Sequence, residues 1–328
     1  MAFAKTAVKS EEAMKKIIAI LLAAVLLTAA FAGCSGKKPE DGKLKIITTI
    51  FPVYEWVSHV TAGTQNTDVS LLLNKGVDMH SFQPTTKDIV NISDCDVFVY
   101  VGGESDKWVE DVLRDASNKN MLTLNLMDAL GDLAKEEEAV EGMQGEEAEA
   151  DGETEYDEHI WHSLKNASVL TAHIAEKLGE KDAANKSAYE KNAEDYTAAL
   201  NKLDSRYAEA VRAAKHDTLI FADRFPFRYM TSDYNLKYYA AFSGCSAESE
   251  ASFKTLVFLA DKLKELQLDK LMILDGSDGK IARAVIDTAG VADVKILTLN
   301  SMQSEIGEND SYLGIMENNL TVLQQALN

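Results

Sequence analysis

From residue 183 to residue 214 the chain runs without a single Gly or Pro, and Ala, Lys, Glu and Leu dominate it. Tyr189, Tyr196, Leu200, Leu203 and Tyr207 recur there at helical spacing, so the segment reads as one long helix. At 1.5 Å per residue, thirty residues make a rod of roughly 45 Å. Such a rod divides the chain. Four strand-like runs precede it, at 44–49, 69–72, 96–101 and 122–124, and four follow, at 218–222, 237–242, 270–274 and 295–299. Helical stretches such as 53–62, 107–116, 253–266 and 280–289 lie between most neighbours, and strands that alternate with helices build parallel sheets covered on both faces. The expected fold is α/β: two lobes, each a four-stranded, mainly parallel sheet flanked by helices, joined by one long rigid helix. The alternative is a long helix packed within one domain.

The N-terminus reads as a processing signal. Lys15 and Lys16 precede an apolar run over 17–32 that ends in Phe31-Ala32-Gly33-Cys34. Sixteen residues are short for a bilayer span, which needs roughly 20, and a basic start before an apolar middle and small residues marks a secretory signal. A Cys directly after Ala-Gly is the mark of bacterial lipoprotein processing, so Cys34 is the expected lipidation site; an ordinary signal with an incidental Cys is the alternative. Met14 reads as the natural start. The expected layout is a signal peptide over 1–33, a tether over 34–42, a first lobe over 43–182, the linking helix over 183–214 and a second lobe over 215–328.

Charge narrows the partners. A net charge of −20 argues against nucleic acid, which needs clustered Lys and Arg, and favours a cation over an anion. Much of the acidity sits in residues 136–158, with twelve carboxylates and no basic residue. Such a run reads as a solvated loop outside the core, either a solubilising insertion or a weak cation collector. Apart from Cys34 there are two cysteines, Cys95 and Cys245. Cys95 opens an expected strand and Cys245 follows one, so they belong at opposite sheet edges and read as buried free thiols.

Six histidines remain as donors. His59, His173 and His216 sit on helices or ahead of a strand and read as structural. His80 lies in a loop just past the second strand, within Asp78-Met79-His80-Ser81, at the carboxyl edge where open α/β sheets bind ligands. Asp78 is placed to hydrogen-bond its ring and fix the tautomer. His159 and His162 follow the acidic run in Asp157-Glu158-His159-Ile160-Trp161-His162. Loop imidazoles beside carboxylates make a candidate N/O metal site.

From Lys45 to Leu113 the chain resembles the metal-binding lipoproteins of ABC importers for zinc and manganese. The matching stretches are Thr48-Thr49-Ile50-Phe51-Pro52-Val53-Tyr54, the Asp78-x-His80 loop with Pro84-Thr85, Asp94-x-Asp96-Val97-Phe98, and Gly102-Gly103-Glu104 with Trp108. Asp157-x-His159-x-Trp161 is similar to the family's second His motif, and Tyr189, Asn192, Tyr196 and Leu200 fall as in its long helix. The resemblance implies a metal held between two lobes, with the zinc branch favoured by the acidic segment and manganese as the alternative. It places His80 and His159 as ligands. The third ligand falls near Asp223, where the family has His or Glu, and the fourth at Asp278, with Asp275 as alternate. His162 is the alternate imidazole. A Glu within residues 245–250 is a further candidate, though a capping box before Phe253 is the simpler role. The implied partners are the importer's membrane permease and the metal ion, for a monomer anchored by lipid to the outer face of the membrane.

Other functions fare worse. A zinc hydrolase needs an open metal position and a motif such as H-E-x-x-H, and neither that motif nor a G-x-S-x-G turn occurs. A surface adhesin has no diagnostic feature. The expectation is a binding protein, not an enzyme.

Overall fold

Parallel strands buried on both faces need unbroken runs of Val, Ile and Phe, and Ile46, Val97, Phe98 and Val99 are fully buried. The computed structural model describes residues 42–73, 77–144, 155–246, 250–303, 306–307 and 309–328; the expected signal peptide, Met14, Cys34 and most of the tether lie outside them. The body from Leu44 to Asn328 carries two sheets. The first holds β1 (Leu44–Thr48), β2 (Thr67–Leu71), β3 (Val97–Tyr100) and β4 (Leu122–Asn125) in the order β2-β1-β3-β4. The second holds β5 (Thr218–Phe225), β6 (Lys237–Ser243), β7 (Lys270–Leu274) and β8 (Lys295–Leu299) in the order β6-β5-β7-β8. Every strand pairing is parallel.

Each sheet starts in its interior, steps one way and then reverses. That reversal opens a crevice at the carboxyl ends of β1 and β3, and another at those of β5 and β7. Helices α1 (Phe51–Thr61), α2 (Thr86–Asp94) and α3 (Trp108–Arg114) cross between the first strands, and α4 (Leu126–Leu130) follows β4. The second lobe repeats the plan with α7 (Arg228–Asp233), α8 (Phe253–Glu265) and α9 (Lys280–Ala289) between its strands. Local chemistry sets their starts. Thr85 and Asp88 form a reciprocal capping box ahead of α2, and Ser252, rather than a Glu, caps α8 by accepting from Thr255 N.

After α5 (Leu164–Lys181), the 27-residue α6 (Lys186–Arg212) links the two halves. The buried residues of α6 are Tyr189, Ala193, Tyr196, Leu200, Leu203 and Tyr207, spaced four and three apart as a single apolar stripe demands. The stripe is covered along its length, so α6 is a packed element rather than a bare rod. Near its start, Asn192 Nδ2 donates to Val60 O and Ala62 O at 2.9 and 2.8 Å, closing the end of α1, and His59 stacks on Tyr196 at 4.0 Å. Near its end, Tyr207 OH donates to Met316 O at 2.6 Å in α10 (Tyr312–Ala326).

The acidic run departs from expectation at both described ends. Glu137 N donates to Glu155 O, Gln144 N donates to Ala241 O at the end of β6, and Met143 packs on the main core. Asp157 and Glu158 are buried. The reason is pairing: a carboxylate can leave water when imidazoles and N–H donors replace its hydration.

Asn192 gives a test of the α1–α6 joint. Asn192→Ala removes two amide hydrogen bonds and should cost about 1–2 kcal/mol in urea denaturation. Asn192→Asp cannot donate and aims a carboxylate at two carbonyl oxygens, so at pH 7 it should cost more than Ala does. An Asp variant more stable than the Ala variant would contradict this account of the joint.

Candidate metal centre

The crevice at the end of the first sheet collects three loops. The first, after β2, makes a short 3-10 turn at Met79–Ser81 whose N-cap Asp78 accepts from His80 N at 3.1 Å. The second, after β3, turns through Gly102 and Gly103 with φ of +90° and +82°. The third carries Asp157, Glu158 and His159 into the same place.

His80 and His159 meet there, their Nε2 atoms 3.2 Å apart. Each ring is held from behind by a buried carboxylate. His159 Nδ1 lies 3.0 Å from Asp157 Oδ1, which also accepts from His159 N at 2.8 Å. His80 Nδ1 lies 3.0 Å from Glu158 Oε1 and 2.8 Å from Ser105 Oγ. Ser105 spends its own proton on Glu158 Oε1, and its N–H donates to Glu158 Oε2 at 3.0 Å. Both acceptors therefore require a proton on each Nδ1, which leaves each Nε2 with a lone pair. The two lone pairs lie 3.2 Å apart, and the one on His80 also accepts from Gln303 Nε2 at 2.9 Å; a cation between the rings would meet both in place of that amide. A metal-bound imidazole is oriented in this way, by a carboxylate on its second nitrogen.

Tight packing keeps the pair in register. A Cβ at Gly103 would come within 2.7 Å of Glu158 Oε2, and one at Gly244 within 2.8 Å of His159 Cε1. Gly102 N donates to Asp106 Oδ2 at 2.9 Å, which folds the second loop. Tyr229 OH donates to Asp157 O at 2.8 Å. The electrostatics favour a positive ion. Burial works against charge on His159, but the adjoining Asp157 outweighs it and raises the ring's pKa. Burial likewise works against charge on Glu158, yet its His80 and Ser105 partners hold the pKa below the ordinary carboxylate value. Burial pushes the Cys245 thiol up, and Glu158, Glu137 and Asp157 push it further.

The other expected site residues take different places. Asp78 does not orient the His80 ring: two residues away in a tight turn, its carboxylate reaches the backbone N–H, and its other oxygen pairs with Arg224 at 3.1 Å. Glu158 takes that role. Asp223 accepts from Arg224 N at 2.9 Å and from Leu274 N at 3.2 Å, bracing β5 against β7. Asp278 is exposed, ion-paired with Lys280, and accepts from Lys280 N at 2.9 Å. Asp275 accepts from Ser301 N. His162 is buried against Phe227, with ring centroids 4.4 Å apart, and burial followed by His159 drives its pKa well down. Asp78, Asp223 and Asp278 line, with His80 and Glu250, a cavity of about 590 Å³ at the cleft mouth; Glu248 lies outside the described residues.

Glu158, Cys245 and Gln303, whose amide nitrogen lies 2.9 Å from His80 Nε2, carried no expected role at the centre. Among the described residues, the ligand atoms gathered within 4.8 Å of one another are those of His80, His159 and Cys245. The signal for Cys245 was the rule that singled out His80, a donor in the turn after a parallel strand. For Glu158 it was a carboxylate directly preceding a candidate ligand.

Residues 46–326 match the sequence model of the family described as zinc-uptake complex component A, periplasmic. The chain belongs to that family. The zinc-binding lipoprotein AdcA of Streptococcus pneumoniae (strain ATCC BAA-255 / R6) is 34% identical over 319 residues, 95% of this chain and 61% of that protein. This chain thus spans about three fifths of the length of the first such relatives. The high-affinity zinc uptake system protein ZnuA of Bacillus subtilis (strain 168) is 30% identical, with 94% of this chain and 96% of that protein covered. Among solved structures, Zn(II)-bound AdcA from S. pneumoniae matches with a TM-score of 0.70 at 30% identity, over 87% of this chain and 58% of that one. A mutant of the laminin-binding adhesin Lmb from Streptococcus agalactiae matches at 0.73 and 25% identity, over 87% and 100%. The two-lobed architecture is that of this family.

Asp106 provides a pH test of the second loop. Burial raises its carboxyl from 3.8 to about 7, partly countered by the Gly102 N–H. Between about pH 4 and 7 the unfolded chain is ionised here while the folded one keeps its proton, so stability falls as pH rises through that window. Asp106→Asn removes the titration and keeps an acceptor. Relative to the parent it should gain on the order of 2–4 kcal/mol between pH 4 and pH 8 in urea denaturation. A difference between the two proteins that does not change with pH would refute the buried, protonated carboxyl.

Proposed function

We propose that this chain captures zinc outside the cytoplasmic membrane, between His80 Nε2 and His159 Nε2, and passes it to the permease of an ABC importer. The observation that carries the reading is the pair of Nε2 atoms 3.2 Å apart, each imidazole backed by a buried carboxylate; zinc would displace the Gln303 amide from His80 Nε2. Two nitrogens at about 2.0–2.1 Å from a tetrahedral zinc stand about 3.3 Å apart, close to the 3.2 Å between these rings. Imidazole donors favour zinc over manganese, which prefers oxygen. The zinc-binding names of the relatives support the same choice. The cleft mouth adds Asp78, Asp223, Glu250 and Asp278 against Arg224 and Lys280, a net negative entrance that attracts a dication.

Capture and release, rather than catalysis, suit a site built to hold a cation, and the relatives carry zinc-binding and zinc-uptake names. We read the protein as a monomer tethered through a diacylglyceryl group on Cys34. Manganese as cargo is the alternative within the same site. An adhesin role draws support from the likeness to Lmb alone, and metal-independent binding to host matrix would favour it.

Zinc titration with a competing chelator tests the site. His80→Ala and His159→Ala should each weaken binding at least tenfold, about 1.4 kcal/mol or more. Glu158→Gln, which loosens the His80 ring, should cost roughly 10–100-fold, whereas Asp278→Ala should have little effect. Parent-like affinity in both His variants would remove the assigned site. Fractionation of cells tests the tether separately: Cys34→Ala should move the protein from the membrane to the soluble fraction, and unchanged membrane retention would exclude the anchor.

A further inference from the structure

Two imidazoles leave a zinc ion short of donors, since such sites bind through about four. The carboxylates expected from the second lobe are engaged elsewhere: Asp223 with Leu274 N and Arg224 N, Asp278 with Lys280. What the second lobe brings to the rings is Gln303, whose amide nitrogen lies 2.9 Å from His80 Nε2, and the turn after β6. Gly244 lies so close to His159 that no side chain fits between them, and the next residue is Cys245. Its Sγ belongs to the group of ligand atoms within 4.8 Å of one another and lies 3.7 Å from Glu158 Oε1. Cys245 is in no disulfide, and the other described cysteine, Cys95, is buried at the opposite edge of the first sheet with its Sγ donating to Val97 O.

We propose that Cys245 is the second lobe's metal donor, binding the cation through Sγ beside His80 Nε2 and His159 Nε2 and biasing the site toward zinc over manganese. The proposal rests on the reading of the two imidazoles as the zinc site. Around a tetrahedral zinc, with Zn–N about 2.0–2.1 Å and Zn–S about 2.3 Å, a nitrogen–sulfur edge measures about 3.6 Å. The nitrogen edge already stands at 3.2 Å, and the sulfur lies in the group of ligand atoms within 4.8 Å of one another, so closing the nitrogen–sulfur edge is a matter of a side-chain rotation in a turn. Binding breaks the S–H bond and forms S–Zn; the proton leaves to solvent, and nothing is oxidised or reduced. Thiolate suits zinc and is a poor partner for manganese. Coordination by Cys245 also joins the lobes through the ion, because both imidazoles lie on the first lobe's side of the cleft.

Cobalt(II) added to the full chain reads this directly. Stoichiometric binding should bring tetrahedral d–d bands together with a near-ultraviolet thiolate-to-cobalt charge-transfer band. That band should persist in Cys34→Ser and vanish in Cys245→Ser. Cys245→Ser should also lose at least tenfold in zinc affinity and less in manganese affinity. Cobalt bound by the parent chain without the charge-transfer band would overturn the proposal while leaving the imidazole site intact, and that result needs no variant to fold. Survival of the band in Cys245→Ser would overturn it equally. A parent chain that binds neither cobalt nor zinc would sink the imidazole reading and this one together.

Discussion

Everything at the centre depends on two imidazole–carboxylate pairs kept out of water. Asp157 holds His159 and Glu158 holds His80, and all four groups lie within a few ångströms. Buried carboxylates are costly unless each oxygen is met, and much of the nearby backbone is arranged to meet them. Ser105 gives both its N–H and its hydroxyl to Glu158. Gly103 lets the chain pass against the same side chain. The loop after β3 is thus shaped by the need to host a charge, and the helices behind it keep that loop in place.

The two lobes share more than a connecting helix. Trp161 Nε1 donates to Ser301 O at 3.0 Å beyond β8, and Tyr312 OH donates to Trp161 O at 2.6 Å. Trp56 of α1 meets Tyr312 of α10 edge to face, and one buried cluster contains residues of both sheets. Wide separation of the lobes would expose these rings and strand their hydrogen bonds. The loops that carry Cys245 and His80 take no part in these ring contacts and hydrogen bonds, so the cleft can adjust without disturbing them.

The architecture could be read in advance because its signals are local. Buried parallel strands write themselves as short apolar runs, and α6 as a breaker-free stripe, so the eight strands fell within a few residues of their observed positions. His80 and His159 could be singled out as candidates, since each belongs to a loop motif with its own spacing, and their rings lie side by side. Cys245 could not be ranked the same way. It approaches His159 only because β6 lies at the edge of a sheet whose crevice faces the first lobe, and no periodicity encodes that meeting. Glu158 was hidden inside a run of acids: composition describes twelve similar carboxylates, whereas burial singles out Asp157 and Glu158 among the described ones. Asp78 misled through nearness in sequence, because a tight turn directs its oxygen to the peptide N–H instead of the ring.

Trp161 stands in an unusual place for an indole. Its ring centroid lies 5.2 Å from that of His159 and 5.5 Å from that of His162, and its N–H is fixed to a carbonyl of the opposite lobe. Indole emission is quenched by a protonated imidazole nearby and shifts when its N–H partner changes. The fold has therefore built an optical gauge into its own centre, in which one fluorophore registers both the charge on His159 and the stance of the far lobe.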